Sequence, residues 1–161
     1  MTAKLTLKAL EESDLKFLYK VYASTRYEEL NKTGWSQQEI EKFLKMQFDA
    51  QHQFYKEQFP QASFMIVQCD GKNAGRLYLD YRDKEIRIVD IALLPEFRGA
   101  GYGTQLLKTV IEDAQNNNIA VRIHVEKNNP ALRLYQRLGF KEIGDRGVYW
   151  LMEKINEKQV A

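Results

Sequence analysis

The stretch RGAGYGTQLL, Arg98 to Leu107, constrains this chain more than any other ten residues. Gly99, Gly101 and Gly103 fall within five positions and lead directly into an apolar periodic segment. Glycines just before a helix let the backbone approach a ligand closely, and the helix's first N–H groups have no intrahelical acceptor. The usual occupant of such a helix start is an anion, most often a phosphate. The surrounding elements must say which phosphate compound this one suits.

Upstream, LTLKAL (Leu5 to Leu10) alternates with period two and reads as a strand. Ser13 or Asp14 then caps a short helix carrying Leu15, Leu18, Tyr19 and Tyr22 on one face, and ASTRYEELNKTG follows as a polar link. WSQQEI is a sharp helix start: Ser36 is the N-cap, Glu39 closes a capping box, and Trp35 with Ile40 forms a hydrophobic staple. That helix is expected to run to about Tyr55. Its stripe of Ile40, Phe43, Leu44, Phe48 and Phe54 is broken by Gln47 and Gln51, which turns part of the face toward a polar cleft.

The remainder is mostly strands. SFMIVQC, the turn DGKN and AGRLYLD make a hairpin, and KEIRIVDIALL is a long third strand. Ile86 and Ile88 share one face of it, whereas Val89, Ile91 and Leu93 take the other. The apolar phase therefore slips near Val89–Asp90, as at a β-bulge. TQLLKTVIEDAQ is an amphipathic helix, AVRIHV a strand, PALRLYQRLGF a short helix stopped by Gly139, and KEIGDRGVYWLMEKI two strands. The order is β-α-α-β-β-β-α-β-α-β-β. The strand–helix–strand unit from Glu85 to Val125 implies parallel pairing inside an otherwise antiparallel sheet.

No linker divides the 161 residues, so one domain over 1–161 is expected. A net charge of +2 argues against a nucleic-acid footprint, which needs a strongly basic face. A single cysteine, Cys69, rules out an internal disulfide and multi-cysteine metal sites, and no other metal set is apparent. No segment has signal-peptide or membrane-spanning character, and the cytoplasm is the expected location.

Three phosphate-binding readings compete for RGAGYG. A P-loop needs a lysine after its last glycine, but Thr104 follows Gly103 directly. A dinucleotide fingerprint needs a third glycine where this chain has Leu106, and it opens a parallel sheet rather than following an antiparallel run. A plain tight turn remains the alternative and would suffice for isolated glycines, whereas Arg98 and three spaced glycines opening a helix favour anion binding.

IALLPEFRGAGYGTQLL resembles the acyl-CoA-binding motif of the GNAT N-acetyltransferases, with R-x-x-G-x-G at Arg98, Gly101 and Gly103. NNPALRLYQRLGF resembles the second motif of the same family. The two cover about Glu85 to Phe140 in the expected order. The resemblance implies a mixed α/β (α+β) fold whose V-shaped central sheet is splayed at a cleft for acetyl-CoA. The phase slip at Val89–Asp90 fits such a splay. Main chain of Ile91, Ala92 and Leu93 would then bond the pantetheine arm as a missing strand would. Arg98, Gly99, Gly101, Tyr102, Gly103 and Thr104 would wrap the pyrophosphate, and Asn129 (or Asn128) would meet the pantetheine.

Acetyl transfer to an amine poses two proton problems. An amine of pKa near 10.4 costs about 4–5 kcal/mol to deprotonate at pH 7, and the departing thiolate needs stabilisation. Tyr135 matches the family tyrosine given the second task, either with a lowered pKa or as a hydrogen-bond donor to sulfur. Some family members carry a glutamate base on the long strand, where this chain has Arg87. Others carry one on the next strand, where it has His124. An imidazole of pKa near 6.5 suits a base at neutral pH, with Glu85, Asp90 and Glu126 as further candidates. Arg26, Glu28, Glu29, Arg76 and Tyr78 are the candidate acceptor contacts and suggest a small zwitterionic or carboxylate-bearing amine. A peptide amine and a homodimer stay open. The reading from another class is an acyl-CoA-binding sensor or interaction module without catalysis.

Overall fold

The computed structural model describes residues 3–156. Its elements run β1 (Leu5–Ala9), a 3-10 turn (Glu12–Asp14), α1 (Leu15–Asn31), α2 (Gln37–Gln58), β2 (Ser63–Cys69), β3 (Lys72–Tyr81) and β4 (Glu85–Leu93). A second 3-10 turn (Pro95–Phe97), α3 (Tyr102–Asn116), β5 (Ala120–Glu126), α4 (Leu132–Arg137), β6 (Lys141–Arg146) and β7 (Tyr149–Lys154) complete it. The element order is the one expected. The seven strands form one mixed sheet in the order β1-β2-β3-β4-β5-β7-β6, and β4 pairs with β5 in parallel across the α3 crossover. Among the described residues, no helix is long and apolar enough to cross a membrane.

The chain groups into two units. One contains the chain up to Leu77 together with Ile91–Arg98, and the other contains Tyr78–Asp90 and the chain from Gly99 onward. In the first unit, Leu18, Val21, Ile40, Leu44, Ile66 and Val67 are buried. Phe48 sits among aromatic rings, 5.8 Å from Tyr19 and 6.1 Å from Tyr22. The capping box is present: Glu39 N–H donates to Ser36 Oγ at 3.1 Å and Ser36 N–H to Glu39 Oε1 at 3.0 Å. Trp35 packs edge-on against Phe43 at 5.3 Å.

Helix α1 corrects the sequence reading. The polar link is helical as far as Asn31. Ser24 and Thr25 turn their hydroxyls back onto the carbonyls of Val21 and Tyr22 at 2.6 and 2.7 Å, and buried Leu30 anchors the far end. Those residues read as a link because they compete with backbone bonding when free, but here they add bonds within the helix. Asp14 does not cap α1 with its side chain. Its carboxylate accepts from Glu11 N–H at 2.9 Å and pairs with Lys8 at 2.8 Å, closing the preceding turn.

Asp70 and Gly71 alone make the β2–β3 turn, both at positive φ (50° and 82°), and Lys72 and Asn73 already belong to β3. Two left-handed residues in a two-residue loop match the twist of a hairpin. At the far end of β3, Gly75 is indispensable. A Cβ there would lie 2.1 Å from the Ala92 carbonyl oxygen and 2.9 Å from Leu93 Cα. Leu94 N–H donates to Ala74 O at 2.8 Å in the same place, so β3 clamps the end of β4.

In the second unit, β5 is in register with β4 only from Glu85↔Ala120 to Ile88↔Ile123, whereas it follows β7 as far as Glu126. The β4–β5 ladder thus ends beside the Val89–Asp90 phase slip. Glu85 is buried among arginines: Arg87 Nε at 3.0 Å, Arg122 Nη1 at 3.2 Å and Arg82 Nη1 at 3.8 Å. Arg122 also meets Glu153 at 2.7 Å, and Arg82 meets Asp80 at 2.9 Å. Carboxylates and guanidiniums are thereby matched along the polar face of this part of the sheet.

Candidate functional site

The glycine loop is built as its sequence suggests. Gly99 and Gly101 are left-handed, at φ 79° and 85°, a region that strains any side chain. Gly101 is the N-cap of α3, and its carbonyl accepts the first helical bond from Gln105 N–H at 3.0 Å. Gly103 differs: it lies in the first turn of α3 with ordinary φ, and a Cβ built on it would meet nothing within 4 Å. Glycine costs about 0.8–1 kcal/mol relative to alanine inside a helix. No described residue comes near enough to a Cβ at Gly103 to require that cost. The amides of Gly103 and Thr104 belong to the first turn, where N–H groups lack acceptors four residues back. Tyr102 opens the helix beside them.

In the first unit, Arg98 reaches back rather than outward. Its Nε donates to Leu93 O at 2.9 Å and its Nη2 to Ser24 Oγ at 3.4 Å, pinning the end of β4. Ile91, Ala92 and Leu93 are half-buried there, with Gly75 beneath Ala92 and Leu93. Sequence reasoning missed Gly75 because its partner lies in another strand.

In the second unit, Tyr135 is 5% exposed and meets Phe140 edge-on at 5.6 Å. Burial, with a smaller contribution from the Asp90 charge, pushes its phenol up to about 12. Passing a proton from such a phenol to a thiolate of pKa near 8.5 is uphill by about 5 kcal/mol. Of the two roles raised from sequence, Tyr135 is suited to hydrogen-bond donation. His124 is exposed on β5. Partial burial first, then the charges of Arg87 and Arg146, hold it below the ordinary histidine range, against the opposing pull of Glu85. It is therefore neutral at pH 7. Register explains the reach of Arg146: His124 pairs with Leu151 and Leu151 with Gly144, and the Arg146 guanidinium lies over Gly144. A Cβ on Gly144 would be 2.7 Å from Arg146 Nη1. Asn129 Oδ1 accepts from Ala131 N–H at 2.8 Å, an Asx turn leading into α4.

Two of the candidate acceptor contacts are enclosed. Tyr78 is 1% and Arg76 3% exposed, and Arg76 Nη2 donates to Gln51 Oε1 at 3.1 Å. Of the two glutamines that break the α2 seam, Gln51 thus meets this buried guanidinium. Arg26 donates to the Tyr22 hydroxyl at 3.1 Å and lies 3.7 Å from Glu29, while Glu28 and Glu29 are exposed.

A family model described as the acetyltransferase (GNAT) family matches residues 18–140. A Bacillus subtilis protein provisionally named a [ribosomal protein bS18]-alanine N-acetyltransferase is 31% identical over 104 residues, covering 60% of this chain and 67% of that one. An N-alpha-acetyltransferase of Sulfurisphaera tokodaii is 30% identical over 98 residues, covering 52% of this chain and 59% of its own length. The chain thus spans about three fifths to two thirds of these curated relatives. Among solved structures, the PaiA N-acetyltransferase of Thermoplasma acidophilum in complex with coenzyme A superposes with a TM-score of 0.70 at 19% identity, over 94% of this chain and 99% of that one.

Proposed function

Because the chain belongs to the GNAT family of acetyl-CoA-dependent acetyltransferases, we propose that it moves an acetyl group from acetyl-CoA to a primary amine of a small molecule or peptide. The attack is direct, in a ternary complex, and residues 1–161 act as one acetyltransferase domain in the cytoplasm. The observation that carries this reading is Gly103: a helix-start glycine that the fold itself does not require, next to two glycines that it does. Bare backbone there fits a pyrophosphate resting on the first amides of α3, where a helix end adds about 0.3–1 kcal/mol for a negative charge.

In this proposal one continuous run of chain holds the coenzyme. The main chain of Ile91, Ala92 and Leu93 binds the pantetheine amides, and Gly99, Gly101, Tyr102, Gly103 and Thr104 bind the pyrophosphate. Arg98, by fixing Leu93 O, orients the strand end and adds positive charge near the loop. Asn129 keeps its Asx turn and offers its side-chain N–H groups. Acetyl-CoA supplies the activated acyl group as co-substrate. Tyr135 donates a hydrogen bond to the sulfur as negative charge develops there and stays a neutral phenol throughout. His124 accepts the amine proton.

The base assignment has a pH signature. The rate should fall on the acid side with a midpoint below 6.5, since His124 must be neutral and its pKa is depressed. His124→Ala should lower kcat and remove that acid limb. A limb left unchanged in His124→Ala would eliminate His124 as base.

The relatives' names set the acceptor panel. Several are named for alpha-amine or ribosomal-protein alanine acetylation, and a mouse relative, 32% identical over 90 residues, is named a thialysine N-epsilon-acetyltransferase. Coenzyme A thiol release should therefore be followed across N-terminal peptides, amino acids and side-chain amines. Turnover with at least one amine is expected. Tight acetyl-CoA binding with turnover on none would leave a coenzyme-binding module and defeat the enzyme reading.

A further inference from the structure

Helix α2 buries one face through Ile40, Leu44 and Phe48. It carries a second apolar stripe, exposed at Met46 and Phe54. At about 100° per residue, Phe43, Met46, Ala50 and Phe54 fall within about 80° of one another. Met46 is 56% and Phe54 54% exposed, and Trp35, 42% exposed, extends the stripe from its contact with Phe43. A continuous exposed apolar surface of this kind marks an interaction site.

The stripe is complementary to itself. Ala50, small and exposed, lies at its middle, with Met46 one turn before and Phe54 one turn after. If two such helices lie antiparallel on a two-fold axis through Ala50, small side chains meet at the axis. Met46 then faces the partner's Phe54 on both sides. The charges agree with this register. Lys42 lies about 12 Å before Ala50 along the helix and Glu57 about 10.5 Å after it. By the same count Glu57 falls between Met46 and Ala50 at the end of the stripe, and the two-fold brings Lys42, on the flank beyond Met46, level with the partner's Glu57. Glu57 keeps one carboxylate oxygen for that contact, the other accepting from Gln53 at 2.7 Å. A two-fold interface makes every contact twice.

We propose that the chain forms a homodimer through α2, paired antiparallel with α2 of a second copy about a two-fold axis at Ala50. The test is sedimentation velocity on the full chain at tens of micromolar. The mass should be twice 18.9 kDa, and Ala50→Glu or Met46→Lys should reduce it to that of one chain with an unchanged far-ultraviolet spectrum, both positions being exposed. Lys42→Glu alone should raise the dissociation constant several-fold, and adding Glu57→Lys should reverse the change. A monomeric parent protein, a dimer indifferent to Ala50→Glu, or a charge swap that fails to restore association overturns the proposal. Each readout is independent of acetyl transfer.

Discussion

A Tyr135→Phe protein is expected to lose about 100- to 1,000-fold in turnover while binding acetyl-CoA within about twofold of the parent. The expectation follows from where the ring sits. Tyr135 is enclosed, stacked edge-on with Phe140, and its phenol is pushed up to about 12. Removing the hydroxyl leaves the aromatic packing in place and takes away one hydrogen-bond donor. The fold should be preserved, and the lost donation to a developing thiolate should appear in kcat as about 3–4 kcal/mol of barrier. Because the phenol does not ionise in the working range, the parent rate should show no alkaline limb attributable to Tyr135 below about pH 10. Stopped-flow thiol release, with calorimetry for coenzyme affinity, separates the two effects. Equal losses in affinity and turnover would make Tyr135 a packing residue.

Gly75→Ala should be the most damaging small substitution in the chain. The added methyl would stand 2.1 Å from the Ala92 carbonyl oxygen, a backbone atom that cannot swing aside as a flexible side chain would. Either the β3–β4 approach opens or the strand bends, and Ala74–Leu94 hydrogen bonding goes with it. Overpacking typically costs 1–3 kcal/mol and more when backbone must move, so about 3 kcal/mol or more is expected. For a chain of this size that is roughly a 10 °C fall in melting temperature. Coenzyme affinity should fall as well, because the displaced carbonyl belongs to the segment proposed to bind pantetheine. A variant within 1 °C of the parent by calorimetry would mean that the strands relax around the methyl at little cost.

These two residues also show what a linear sequence can disclose. Features set by neighbours a few positions away were legible: the Ser36–Glu39 capping box, a turn at DGKN that the structure narrows to Asp70 and Gly71, and glycines opening α3. The phase slip at Val89–Asp90, a local break in alternation, lies beside the end of the β4–β5 ladder. Gly75 was not legible, since its need for a bare Cα comes from Ala92 in the next strand. The pairing of Gln51 with Arg76 was hidden for the same reason. The helical continuation of α1 was obscured differently: Ser24 and Thr25 carry turn chemistry, and only their back-bonding with the burial of Leu30 makes them helical. At the candidate site, residue types were readable, whereas the inward hold of Arg98 on Leu93 and the field of Arg146 at His124 depend on the folded register.

The central claim is that Gly103, in the first turn of α3, lacks a side chain so that the coenzyme can rest on its backbone. Replacing Gly103 with valine tests it most directly, with melting temperature measured with and without acetyl-CoA. The unliganded variant should melt at or slightly above the parent, because a Cβ there meets no described atom within 4 Å and glycine is the poorer helix former. The parent should gain about 2.7 kcal/mol at a hundredfold excess over its dissociation constant, and the variant almost none. A variant that keeps the full coenzyme-induced shift would contradict the account.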